Sequence, residues 1–259
     1  MVQDFDLSYD YSLPIGLLNK KFKPANQANN FVAFAPSYPA SDIGVTRGDL
    51  KELIFAKKEA ATVAKLFEGT AFLNNDATKN AFLNEKENFG IFHFSMHSLL
   101  FEDDFNKSCL VFSNNQRLYF SELYAMDFPA QMVVLSACDT GNGVLKSGEG
   151  IMSISRALTY AGVNATVMSL WQVPDKETSE IMIDFYQNLK KGETKDEALA
   201  NAKRSFITKN PLKNHPFYWA GFVVNGNTNA LITNYFWHYV AIGTVLFGGL
   251  FFAFRKRLF

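Results

Sequence analysis

Two side chains in this sequence carry the strongest chemical potential: the thiol of Cys138 and the imidazole of His97. Each directly follows an apolar run. FGIFHFS (residues 89–95) leads into Met96, His97 and Ser98, and AQMVVLSA (residues 130–137) leads into Cys138. The second run is apolar without alternation, which suits a central parallel strand buried on both faces. In open α/β sheets, reactive groups collect at the carboxyl ends of strands. A thiol and an imidazole at the ends of two parallel strands would share one sheet edge. That arrangement suits nucleophilic catalysis: the imidazole assists removal of the thiol proton and the thiolate attacks a carbonyl. The turn-forming cluster CDTGNG that begins at Cys138 can aim backbone N–H groups at a developing oxyanion. The same residues also fit a plainer reading, in which Cys138 is a small buried hydrophobe and His97 a hydrogen-bonded loop histidine.

The surrounding elements must hold such a pair in place. FVAFAP (31–36) reads as a strand, and residues 49–67 repeat apolar positions with a helical period. Residues 77–84 predict a shorter helix with Asp76 as N-cap. CLVFS (109–113) is a short strand and SELYAM (121–126) a helical turn. After the nucleophile turn, Ile151, Ile154, Leu158 and Ala161 mark a helix stopped by Gly162. NATVMSLW (164–171) is a further strand. A helix over 175–191 follows, with Gly192 as its stop. Thr194 and Glu197 predict a capping box for a last helix. Strands alternating with helices of ordinary length predict an α/β domain with a mostly parallel sheet flanked by helices.

Composition narrows the function classes. The 25 basic residues balance the 25 acidic ones, so there is no electrostatic basis for binding nucleic acid. Two cysteines, Cys109 and Cys138, make neither a disulfide framework nor a zinc site. His93 and His97 form an HxxxH spacing without a helical pattern or a nearby acid, so no metal or other cofactor is expected. The opening MVQDFDLSYDYSLP has neither a basic region nor an apolar core and does not read as a signal peptide. Residues 236–254, FWHYVAIGTVLFGGLFFAF, are almost wholly apolar and long enough to cross about 30 Å of hydrocarbon as a helix. Tyr235, Trp237 and Tyr239 cluster at one end as an aromatic belt would, and Arg255, Lys256 and Arg257 close the other.

Several phrases, in this order, resemble the CHAT domain family: FHFSMHS, VVLSACDTGNG, SGEGIMSISRALTYAGV, MSLWQVPD, IMIDFYQNLKKG, EALANAK and HPFYWAGF. CHAT domains are caspase-like members of the peptidase clan of separases and gingipains, often found behind tetratricopeptide repeats. The resemblance spans roughly Tyr9 to Val224. It implies a caspase-like cysteine endopeptidase with His97 as general base, Cys138 as nucleophile, and the backbone amides of Ser98 and Cys138 as oxyanion hole. It also implies a substrate pocket near Trp171 and Asp175, where a carboxylate would favour Lys or Arg. The alternative for Asp175 is the N-cap of the helix it opens. His93 then becomes a packing residue and Cys109 inert core. Gly148, Glu149 and Gly150 resemble the family's turn into the helix behind the nucleophile. The sequence departs from the family's pattern at Ser98, where glycine is usual, and at Met96, where a small residue is usual.

The expected organisation is a CHAT-like domain over 1–225 that begins late relative to the family, a linker over 226–235, a membrane span over 236–254 and a basic tail over 255–259. Its expected partners are a protein or peptide substrate, the membrane, and upstream tetratricopeptide repeats or another protein. Basic residues immediately after the span favour a cytoplasmic tail with the domain in the periplasm of a bacterium with two membranes; the alternative is a tail anchor, with the domain cytoplasmic and the short basic tail translocated. The rival reading is a catalytically silent scaffold that binds partners at the membrane.

Overall fold

A computed structural model describes residues 4–10, 29–38, 50–101, 105–136 and 149–232. Its main sheet has seven strands: β1 (Ser8–Tyr9), β2 (Phe31–Ala35), β3 (Thr70–Leu73), β4 (Ile91–Phe94), β8 (Met132–Leu135), β9 (Ala165–Ser169) and β10 (Phe222–Gly226). Their order is β1-β10-β9-β8-β4-β2-β3. All neighbours run parallel except β10, which is antiparallel to β9. A small antiparallel sheet of β5 (Ser98–Leu99), β6 (Cys109–Val111) and β7 (Arg117–Tyr119) branches off after β4. The described helices are α1 (Ile54–Leu66), α2 (Lys79–Glu85), α3 (Phe120–Tyr124), α4 (Glu149–Tyr160), α5 (Asp175–Lys190) and α6 (Lys195–Lys209). The expected α/β domain with a mostly parallel sheet is thus the observed one.

Strand period two divides the core cleanly. Phe31, Ala33, Ile91, Met132, Val134 and Val167 face one side, where Ala60 and Val63 of α1, Ile181 and Phe185 of α5, and Leu199 of α6 cover them. Val32, Phe34, Phe92, Phe94 and Val133 face the other, packed with Phe82, Phe112, Phe128 and Leu158. The second side is built from phenylalanine edges and faces, such as Phe92 against Phe128 at 4.7 Å between ring centroids.

Three local expectations are corrected. The predicted helix over 49–67 begins only at Ile54, because Lys51 and Glu52 direct their polar groups to His97 and Tyr38. The N-cap of α2 is Thr78, whose hydroxyl accepts from Ala81 N–H, not Asp76. The capping box at α6 does not form: the Thr194 hydroxyl donates to Asp196 at 2.6 Å, and Asp196 in turn accepts the Glu197 N–H. Gly162 (φ 105°) and Gly192 (φ 93°) stand where helix stops were expected. Residues 227–232 lie against the domain: the buried Lys195 ammonium donates to Asn229 O, and Leu231 is buried. Residues 236–254, the expected membrane span, lie outside the described residues. Among the described residues, no helix is long and apolar enough to cross a membrane.

One polar network interrupts the apolar face under α1. Glu59, 1% exposed, meets His93, fully buried, with Oε1 to Nε2 at 2.7 Å. His93 Nδ1 lies 3.0 Å from the Tyr186 hydroxyl of α5. The Ser95 hydroxyl donates to Glu59 at 3.1 Å and lies 2.9 Å from Ser136 Oγ. Ser95 and Ser136 directly follow β4 and β8, so the network ties α1 to the ends of the strands that lead to His97 and Cys138. Removing one partner of a buried hydrogen-bonded group costs about 1–3 kcal/mol. Glu59→Ala should therefore destabilise the domain by about 1–3 kcal/mol in urea unfolding. A loss below about 1 kcal/mol, the scale of an exposed pair, would show that the network carries no such role.

Candidate active site

His97 sits in the short connection between β4 and β5 and is fully buried. Its Nε2 lies 2.7 Å from the carbonyl oxygen of Lys51. A carbonyl only accepts, so Nε2 carries a proton, and in the neutral ring this leaves Nδ1 as the acceptor nitrogen. The main chain is held as well. His97 N–H donates to the Tyr38 hydroxyl at 3.1 Å, and His97 O accepts from Val111 N–H at 3.0 Å. The Tyr38 ring packs on the imidazole with centroids 4.6 Å apart.

The groups that hold His97 are themselves held at the start of α1. Glu52 accepts the Tyr38 N–H at 2.7 Å and pairs with Lys57. Asp175, the first residue of α5, accepts the Phe55 N–H at 2.7 Å and also bonds the Ala56 amide. The positive end of a helix dipole favours a carboxylate there. Burial pushes the Asp175 carboxyl above its usual range, and Glu59 adds to this; the two amides and His97 oppose it. Asp175 therefore caps α1, whereas the N-cap of its own helix is Pro174. Trp171 follows β9, on the sheet edge that also carries His97. Its indole N–H donates to Phe217 O at 2.9 Å, and a Cβ at Gly221 would come within 3.0 Å of the indole ring.

Ser98 opens β5, opposite Leu110. The positive-φ residues among those described do not include it, so serine occupies this position without left-handed strain. Because Val111 N–H bonds His97 O, the next pair, Ser98–Leu110, is a non-hydrogen-bonded one. The Ser98 amide consequently points away from β6. Cys138 lies outside the described residues, as do 139–148. β8 continues its ladder as far as Ser136, whose N–H donates to Phe94 O at 3.0 Å, two residues short of the thiol. Glu149 begins α4, as the family's turn implies. Cys109 is buried in β6, and burial pushes its thiol up to about 11, which keeps it protonated and unreactive. No cluster of three or more metal-ligating side chains occurs among the described residues.

Sequence reasoning missed Tyr38, Lys51, Glu52 and the buried partners of His93. The signals for the last were present: a glutamate on the apolar face of α1 and a histidine in an aromatic strand each need a partner when buried. The Lys51 contact is through backbone and leaves no trace in residue type.

The chain matches the CHAT domain over residues 1–227. It is 27% identical over 107 residues to tetratricopeptide repeat protein 28 of Homo sapiens and of Mus musculus; the match covers 41% of this chain and 4% of each relative. Among solved structures it is similar to the Arg-specific cysteine proteinase gingipain R, with TM-score 0.58 and 10% identity over 85% of this chain and 52% of that one. It is also similar to Saccharomyces cerevisiae separase in its securin complex, with TM-score 0.50 and 12% identity over 87% of this chain and 14% of that one. At these identities the structural likeness establishes the fold, which is that of caspase-like cysteine proteinases. With a family match over residues 1–227, the chain belongs to the CHAT domain family.

Proposed function

We propose that this chain is a membrane-tethered cysteine endopeptidase acting on a protein substrate through His97 and Cys138. The observation that carries the reading is the hydrogen bond from His97 Nε2 to Lys51 O, which presents Nδ1 as a base. In this reading Nδ1 takes the Sγ proton and the thiolate attacks the scissile carbonyl. The amides of Ser98 and Cys138 stabilise the oxyanion of the tetrahedral intermediate. The imidazolium returns its proton to the departing amine as the C–N bond breaks, leaving an acyl-enzyme. Water, deprotonated by His97, then hydrolyses the thioester and regenerates the thiol. The fold shared with gingipain and separase and the matches to tetratricopeptide repeat proteins support a protein substrate or partner. The tether is residues 236–254, with the basic tail cytoplasmic and the domain periplasmic.

Three outcomes check this reading. Cys138→Ala and His97→Ala should each abolish cleavage in a folded protein, the loss of the base costing at least about 10²–10⁴-fold. Unaltered cleavage by a folded Cys138→Ala protein removes the assignment. A peptide-library profile should favour Lys or Arg before the cut, and Asp175→Asn should weaken that preference. A profile without basic preference, or one that Asp175→Asn leaves intact, makes Asp175 solely the cap of α1. In spheroplasts bearing the full-length protein, added protease should digest the domain. Resistance until the inner membrane is lysed would place the domain in the cytoplasm instead.

A further inference from the structure

The registers of β5 and β6 place Ser98 opposite Leu110 and Leu99 opposite Cys109. His97 therefore stands opposite Val111. Half of the expected bond pair is present, from Val111 N–H to His97 O at 3.0 Å. A regular antiparallel ladder would return the second bond, from His97 N–H to Val111 O. That bond is replaced by an inserted hydroxyl. Tyr38 OH accepts the His97 N–H at 3.1 Å and donates to Val111 O at 2.6 Å.

The hydroxyl acts as a one-atom spacer that holds the His97 amide away from β6. The aromatic ring behind it braces the imidazole at 4.6 Å, and the Tyr38 N–H is fixed by Glu52, the residue after Lys51. The backbone and the ring of His97 are thus referenced to one short segment, Lys51–Glu52. Burial holds the Tyr38 phenol well above its usual range, so the O–H remains available as a donor at any working pH. Without the hydroxyl, His97 N–H and Val111 O either stay buried and unpaired or close directly on each other. Closure draws the histidine main chain toward β6 and so changes the placement of the imidazole.

We propose that Tyr38 is a positioning residue for His97, its hydroxyl setting the distance between the histidine and β6 and hence the direction of the imidazole. The proposal rests on the reading of His97 as general base only for its effect on rate; the effect on the ring itself is independent of catalysis.

The test compares full-length wild type with Tyr38→Phe, which keeps the ring and removes the spacer. Two quantities are read: steady-state cleavage, and the ¹⁵N ring signals of His97 across a pH titration. Tyr38→Phe should lower kcat by about 10- to 100-fold, the scale of an ångström's misplacement, with KM within about twofold. It should also shift the His97 ring signals toward a mixed tautomer, as the Nε2–Lys51 bond loosens. Glu52→Ala, at an exposed side chain, releases Tyr38 from its main-chain end and should move both quantities in the same direction by less. If wild type cleaves nothing while Tyr38→Phe still moves the ring signals, the positioning role stands and the peptidase reading falls. Ring signals unmoved in folded Tyr38→Phe overturn the proposal whatever the activity. If Tyr38→Phe does not fold, ring signals and kcat unmoved in Glu52→Ala overturn it.

Discussion

The hydrogen bond between His97 Nε2 and the Lys51 carbonyl is the interaction on which the rest of this structure turns. It converts an ambiguous imidazole into a ring with a defined donor nitrogen. A carbonyl can do this only if its own chain is rigid, and the start of α1 supplies the rigidity. Asp175 caps the helix from α5, and Glu52 couples the preceding turn to Tyr38. The start of the helix that supports the histidine is therefore fastened both to Tyr38, which follows β2, and to the first residue of α5.

The same helix carries the costliest group in the core. Glu59 is buried among apolar side chains and is tolerated because His93 and Ser95 bond it. A dry apolar packing of equal volume would hold the helix equally well, and replacing such pairs is often neutral or stabilising. The polar version adds direction. Ser95 and Ser136 meet across β4 and β8 at the points where the two chains leave the sheet. That contact fixes the relative register of the two strand ends, one leading to His97 and the other toward Cys138.

Much of the fold was legible because burial dictates pattern. The unbroken apolar run at 130–137 reads as a central strand, and β8 lies between β4 and β9. Gly162 and Gly192 mark real helix ends with positive φ. What was not legible came from tertiary competition. Thr194 spends its hydroxyl on Asp196 instead of on the helix amides, and Leu50–Leu53 leaves the helix to serve the histidine. His93 and Asp175 show two different limits. His93 could be read as packing because its partners, Glu59 and Tyr186, are far away in sequence. Asp175 could be read as a local cap or a pocket carboxylate because nothing local reveals that it caps a helix about 120 residues earlier. The position of His97 after a strand was legible; its hydrogen-bond partner, a main-chain oxygen, was not.

Peptidase chemistry at this site requires that His97 act on Cys138. The most direct measurement is the pH dependence of Cys138 alkylation in the full-length protein, followed by mass spectrometry, for wild type and His97→Ala. A thiol beside a histidine that can hold its proton ionises well below the ordinary value of about 8.5, so wild type should alkylate rapidly at neutral pH. His97→Ala should return Cys138 to the profile of an ordinary thiol. Identical profiles in the two folded proteins would contradict the account, because His97 would then have no hold on the thiol proton.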